Sequence, residues 1–322
     1  VATYNQGVFR TGTYGGGSGS DPLVPEPVSA QIIQELPTQS VLLQRAKSVP
    51  MSTKTNRLPV LDVLPVAYFV SGDTGLKQTS QQKWKGVTLV AEEIACIVPI
   101  PEAYLDDAQV PIWDEVRPRM TEAIGALIDG AGLFGVNRPS TWSTDIYSAA
   151  VAAGNVQVMG NGVDIAQDVA FLGEKLARQG FSIDGFASRP GFNWRLTSLR
   201  NSQNTPIYVP NLQGTPGGTL YGYALGEVDN GAWDATKAQL IAGDWDDALV
   251  GMRADISFKM FTEGVISDDS GKVVLNLMQQ DAQAMRVTMR IAFATANPVT
   301  TLQPTSTARY PFYVLQSAGS AS

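Results

Sequence analysis

Between residues 57 and 135 two apolar, β-rich arms flank a polar tip and run directly into an amphipathic helical pattern. Residues 58–70 form the first arm and residues 83–99 the second, the latter with Val87, Leu89, Ile94 and Ile97. Residues 71–82 form the tip, which contains Gly72, Asp73 and Gly75. Arms of this length cannot all lie in the core of one compact domain, and a free two-stranded ribbon is only marginally stable in water. Exposed strand edges also pair readily with other chains. The pattern therefore favours a hairpin laid across a second copy of the same protein, which points to assembly rather than catalysis.

The helical pattern opens at Pro111, a residue well tolerated at a helix start. It carries Ile112, Trp113, Val116, Met120, Ile124, Leu127 and Ile128 at three-to-four-residue spacing. Asp114 and Glu115 suit its positive end, Pro118 should kink it, and it should end in the region 130–135. Upstream, residues 29–36 read as a short helix stopped by Pro37, and residues 102–107 as a helical turn. Residues 135–161 read as a connection with one short strand. Asp164-Ile165-Ala166-Gln167 resembles a capping box opening a second helix with the stripe Ile165, Val169, Leu172, Leu176 and a cap at Gly180. A further helix is expected over 189–199, short strands and turns over 206–226, and a buried strand over 239–242. The last part alternates apolar and polar residues: Ile256, Phe258 and Met260, then Val273, Leu275 and Leu277 after a turn at 268–271. Met285, Val287, Met289, Ile291 and Phe293 then alternate with Arg286, Thr288 and Arg290. Helices in the middle with antiparallel strands on either side make the class α+β.

Composition narrows the function. The 322 residues suffice for a large core. Charged residues make up only 16% of the chain, leaving weakly polar surface suited to protein interfaces. A net charge of −7 argues against avid sequence-independent binding of nucleic acid by the whole surface, although a shell that merely encloses nucleic acid needs no such patch. The chain has no histidine, which removes Ser-His-Asp and Cys-His catalysis and His-ligated zinc. The single cysteine, Cys96, lies in an apolar strand pattern and reads as an inert thiol in a reducing cytoplasm. No apolar run approaches the roughly 20 residues that span a bilayer, and no membrane contact is expected.

The remaining motifs read as structure. Gly130-Ala131-Gly132-Leu133-Phe134-Gly135 matches the dinucleotide fingerprint literally, but it lies at a helix C-terminus, the wrong pole for phosphate. Gly15-Gly16-Gly17-Ser18-Gly19 lacks both the preceding strand and the lysine of a phosphate loop. No cofactor is expected. Glu92-Glu93 alternate across a strand and make a poor acid–base dyad. Asp268-Asp269 beside Ser270 and Gly271 is turn chemistry. Asp244, Asp246 and Asp247 could hold a cation but lack the spacing of an EF-hand loop. A His-free carboxylate hydrolase is the enzyme alternative, and these poorly placed acids count against it. Lys83, Trp84 and Lys85 are too few for a base-stacking surface, and Trp84 reads better as an interface anchor. Lys77 lies in the tip. Arg286 and Arg290 share one strand face, where acidic residues of a neighbour, enclosed DNA or solvent could meet them.

The order of elements has a counterpart. A Gly-rich arm, a long hairpin, Pro99-Ile100-Pro101-Glu102-Ala103-Tyr104-Leu105-Asp106-Asp107, a long helix and Asp129-Gly130-Ala131-Gly132-Leu133-Phe134-Gly135 follow one another, with Gly243-Asp244-Trp245-Asp246-Asp247-Ala248-Leu249-Val250-Gly251-Met252-Arg253 further on. In this order they resemble the major capsid proteins of tailed double-stranded-DNA bacteriophages, the Hong Kong 97-type fold. The resemblance implies an N-terminal arm (1–27), a first piece of a peripheral domain (28–57) and an extended loop (58–92). It then implies the peripheral domain with its spine helix (93–162), an axial domain (163–253) and a returning sheet with the tail (254–322). It further implies hexamers and pentamers in an icosahedral shell around DNA, assembled in the host cytoplasm, with scaffold, portal and decoration proteins as partners. No long helical scaffolding segment precedes the arm, so the expectation is maturation by cleavage or a separate scaffold. Related folds also build encapsulin compartments, the second alternative. Some relatives join a lysine to an asparagine covalently. Lys77, Lys83, Lys85 and Asn276 are the residues concerned, no pair stands out, and solvated lysines are expected.

Overall fold

The computed structural model describes residues 40–70, 77, 79–108, 111–161, 164–198, 218–268 and 270–317. The expected helix at 29–36, the whole N-terminal arm and much of the hairpin tip lie outside these residues, as does the first half of the 206–226 segment.

The chain enters through helix α1 (Val41–Arg45) and strand β1 (Lys47–Pro50), then forms β2 (Thr55–Val63), β3 (Lys83–Val90) and β4 (Glu92–Pro101). Helices α2 (Glu102–Asp107), α3 (Ile112–Phe134) and α4 (Ile146–Ala152) follow, with β5 (Val156–Val158) after them. The middle holds α5 (Ile165–Gln179), β6 (Gly185–Ser188), α6 (Phe192–Thr197), β7 (Thr219–Leu220), β8 (Tyr223–Glu227) and β9 (Ala238–Gly243). A 3-10 turn (Trp245–Asp247) leads into β10 (Ala248–Phe261), β11 (Val265–Ser267), β12 (Val273–Asn276), β13 (Ala282–Thr295) and β14 (Phe312–Gln316).

Two sheets organise these pieces. One has four strands in the order β1-β10-β13-β4; the other has six, β5-β14-β9-β6-β8-β7. Alternation on β13 sends Met285, Val287, Met289, Ile291 and Phe293 into the core against Met120, Ile124, Ile128 and Leu133 of α3. Each such buried side chain is worth roughly 1.5–3 kcal/mol. In the six-stranded sheet, β9 and β14 are buried on both faces. Ile241, Phe312 and Val314 join that first core. Leu240, Ala242, Tyr313 and Leu315 face a second one, built with Val169, Leu172 and Leu176 of α5 and with Phe192 and Leu196 of α6.

Helix α3 runs for 23 residues and continues through Pro118, whose missing N–H leaves the Asp114 carbonyl without its usual partner. It ends where expected. Gly135 takes the left-handed conformation (φ 73°), and the N–H groups of Gly135 and Val136 close on the Ala131 and Gly130 carbonyls. Gly132 permits close approach of α1, since a Cβ there would overlap the Leu42 side chain. Helix α5 begins at Asp164, whose carboxylate accepts the Gln167 N–H at 2.8 Å, and ends at left-handed Gly180.

Several expectations shift. The second arm of the hairpin is two strands, not one: β3 pairs with β2, but β4 pairs with β13 in the four-stranded sheet. The break falls at Ala91, which is buried and donates to the Lys54 carbonyl. The first arm starts at Thr55 and stops at Val63, just before Pro65. The connection 135–161 contains α4, opened by Asp145, which accepts the Ser148 N–H at 2.9 Å. The helix expected over 189–199 is confined to 192–197, with left-handed Gly191 before it. β10 continues past residue 253 as one strand, with register shifts against β13 between Met252 and Ser257, and β11–β12 forms a separate two-stranded hairpin between β10 and β13. Among the described residues no helix is long and apolar enough to cross a membrane.

Candidate assembly surfaces

The β2–β3 hairpin forms a sheet of its own. Its base is anchored: Leu58, Val60 and Val87 pack with Leu89 and Ala91 against Met51, Leu249, Ala292 and Ala294. Beyond that base apolar side chains face solvent. Val66 and Phe69 are exposed, and Trp84, opposite Leu61, is 63% exposed. Lys83 pairs with Val63 and Lys85 with Val60, so the two lysines share one side of the ribbon and Trp84 projects from the other. Lys77 is exposed and belongs to no strand. The structure thus gathers Lys83, Trp84 and Lys85 on one ribbon. Phe69 adds to its apolar surface. That residue was hidden inside an arm read simply as β-rich.

Arg286 and Arg290 lie elsewhere, on the face of β13 turned away from α3. Arg290 is met within its own chain by Glu93 of β4, directly opposite in register, with Nε and Nη2 at 2.8 and 2.7 Å from one carboxylate oxygen. Glu92, on the opposite side of β4, accepts from Thr141 at 2.9 Å and lies 3.9 Å from Lys54. The two glutamates serve different partners, as their alternation requires. Arg286 stacks its guanidinium 4.9 Å from the Phe261 ring centre. Asn276 engages Gln279 and Gln280 close by in sequence. Cys96 is half-buried on β4 against the main core.

The acidic motif after β9 gains a member from a distant part of the chain. Asp184, Asp244 and Asp246 each place a carboxylate oxygen within 4.8 Å of the others. Asp184 also caps the turn, accepting the Trp245 N–H at 2.9 Å. Burial and the neighbouring carboxylates push Asp247 up to about 7, against a weaker opposing pull from Lys47. Asp184 in turn favours the charged form of Arg45, whose pKa burial lowers. These side chains hold the link between the two sheets, since β9 belongs to one and β10 to the other. At the N-terminal end of α1, Asp129 of α3 is fully buried. It accepts from Ser40 Oγ (2.6 Å), the Val41 and Leu42 N–H groups (3.1 and 3.0 Å) and Asn230 Nδ2 (2.7 Å). A groove of about 470 Å³ opens beside it, lined by Leu43, Ile124, Ile256 and Met289.

An anchored hairpin with an apolar far end is the geometry of a building block. Comparison with known proteins decides the family. Residues 21–300 match the model described as the phage capsid family. The chain belongs to the phage capsid family. This capsid subunit is 24% identical over 271 residues to the major capsid protein of Staphylococcus phage 80alpha, covering 83% of this chain and 79% of that protein. A solved chain from Microbacterium phage Oxtober96 is 34% identical with a TM-score of 0.81, covering 92% of this chain and 97% of its own. One from Mycobacterium phage Cain is 30% identical with a TM-score of 0.82, covering 92% and 96%. The likeness to the capsid of a native GTA particle, 14% identical with a TM-score of 0.63, is one of fold alone. The fold is the Hong Kong 97 type and the role is structural: a major capsid subunit of the virion, whose shell is built from many copies. The compartment and hydrolase readings are not favoured by these matches.

Proposed function

We propose that the β2–β3 hairpin is the extended loop by which each capsid subunit overlaps the next, closing hexamers and pentamers into an icosahedral head. The observation that carries this reading is the ribbon itself. Its base is packed into the subunit, while Val66, Phe69 and Trp84 beyond it have no apolar cover. Isolated ribbons are marginal in water, so a neighbouring surface is the natural source of their stability. In this reading α3 is the spine of a peripheral domain and the six-stranded sheet with α5 and α6 is the axial domain around the symmetry axes. Lys77, Lys83, Trp84 and Lys85 are contacts of the loop with its neighbour, and Arg286 and Arg290 belong to a second contact. Scaffold, portal and decoration proteins, assembly in the host cytoplasm and enclosure of double-stranded DNA without sequence readout complete the proposal. The subunit's acidity favours confinement of DNA over tight binding to it.

Deleting residues 71–82 tests the proposal. Circular dichroism and thermal melting should show a folded subunit, while electron microscopy should show failed or altered shells. Normal particles from that deletion would sink the overlap argument.

A further inference from the structure

On the face of the four-stranded sheet turned away from α3, Lys259 of β10, Arg286 of β13 and Ile97 of β4 form one row across three strands. Two cations stand directly opposite each other. Such like-charge cross-strand pairs are destabilising in an isolated sheet. Arg290, further along the same face, is neutralised by Glu93. Among the described residues neither Lys259 nor Arg286 has an ion-pair partner, although Glu263 lines the same hollow as Arg286. The Phe261 ring holds the Arg286 guanidinium in place, and Ile97 beside it is 47% exposed.

Helix α2 presents the converse arrangement. Asp106 and Asp107 are adjacent, exposed and at its C-terminal end, with no basic residue in its last turn. The helix dipole disfavours anions at that end. Tyr104 on the same turn is 66% exposed. Among the described residues no ion pair joins Asp106 or Asp107 to Lys259 or Arg286: α2 follows β4 through Pro101, and its Glu102 accepts from Gln283.

We propose that the Lys259–Arg286 row receives the Tyr104–Asp107 turn of a second copy, as a charge-paired contact between subunits separate from the hairpin overlap. Each half carries repulsion in the lone subunit that the other half relieves, and Tyr104 against Ile97 supplies an apolar element beside the charges. This rests on the shell reading. The partner is another subunit rather than nucleic acid because the same chain supplies the complementary acid pair.

Charge reversal in both halves is the test. Lys259→Glu with Arg286→Glu should leave a folded subunit by circular dichroism and reduce particle yield at least tenfold by electron microscopy and sedimentation. Asp106→Lys with Asp107→Lys should do the same. Combining all four in one chain should restore particles, because reversed halves again attract between copies. Lys259→Glu alone, at an exposed position, provides a milder variant should the double change unfold the subunit, and it should weaken assembly in the same direction. Unchanged assembly on reversing either half, or no rescue by the fourfold change, overturns the contact. Failure of the unaltered chain to assemble in the same assay would instead count against the shell reading.

Discussion

At the scale of single residues, the buried carboxylate of Asp129 is the most consequential polar group. Four donors converge on it from α1, Ser40 and Asn230. Burial alone pushes its pKa up, and the hydrogen bonds pull against that. Asp129→Ala would leave the buried Val41 and Leu42 N–H groups without their carboxylate acceptor. Losing acceptors for buried donors costs on the order of 1–3 kcal/mol each, so the variant should lose about 2–6 kcal/mol in urea unfolding. Asp247 yields a pH dependence. Its folded pKa of about 7 stands above the ordinary aspartate value, so the unfolded chain ionises first as pH rises. The stability this group contributes is full below pH about 4 and is lost as pH rises through about 7. Asp247→Asn should therefore flatten the fall in melting temperature between pH 5 and 8, and the unaltered protein should melt higher at the acidic end.

At the scale of elements, α3 and α5 were legible because periodicity and caps agreed: Gly135, Asp164 and Gly180 do in the structure what their positions in the sequence imply. β13 was legible because it is long and alternates. The break at Ala91 was not. Residues 83–99 carry one continuous apolar pattern, and only distant partners decide that its first half pairs with β2 and its second with β13. α4 was missed because alanine-rich residues after Asp145 show no strong stripe. The residues proposed as loop contacts, Lys83, Trp84 and Lys85, could be picked out by composition, whereas the opposition of Lys259 to Arg286 needs a register that no local pattern supplies. The hairpin yields its own prediction. Trp84→Ala removes an exposed side chain, so the subunit's melting temperature should move by less than about 2 °C, while shell yield or resistance to denaturant should fall clearly. A large loss of subunit stability would place Trp84 inside the fold rather than at an interface.

At the scale of the whole molecule, both sheets are stitched from distant segments. The four-stranded sheet joins β1 and β4, from the first third of the chain, to β10 and β13, from the last quarter. In the six-stranded sheet β14 lies between β5 and β9, so the last described strand is an interior one. Non-local pairings of this kind form slowly, because loop closure must precede any reward. A chain truncated after residue 281 lacks β13 and β14, and with them an interior strand of each sheet. It should show no cooperative thermal transition and should not enter particles when mixed with intact subunits. The hairpin emerges from the ribosome early, but the ground on which it stands is laid last, so an unfinished subunit has an arm to offer and no body to hold it in a shell.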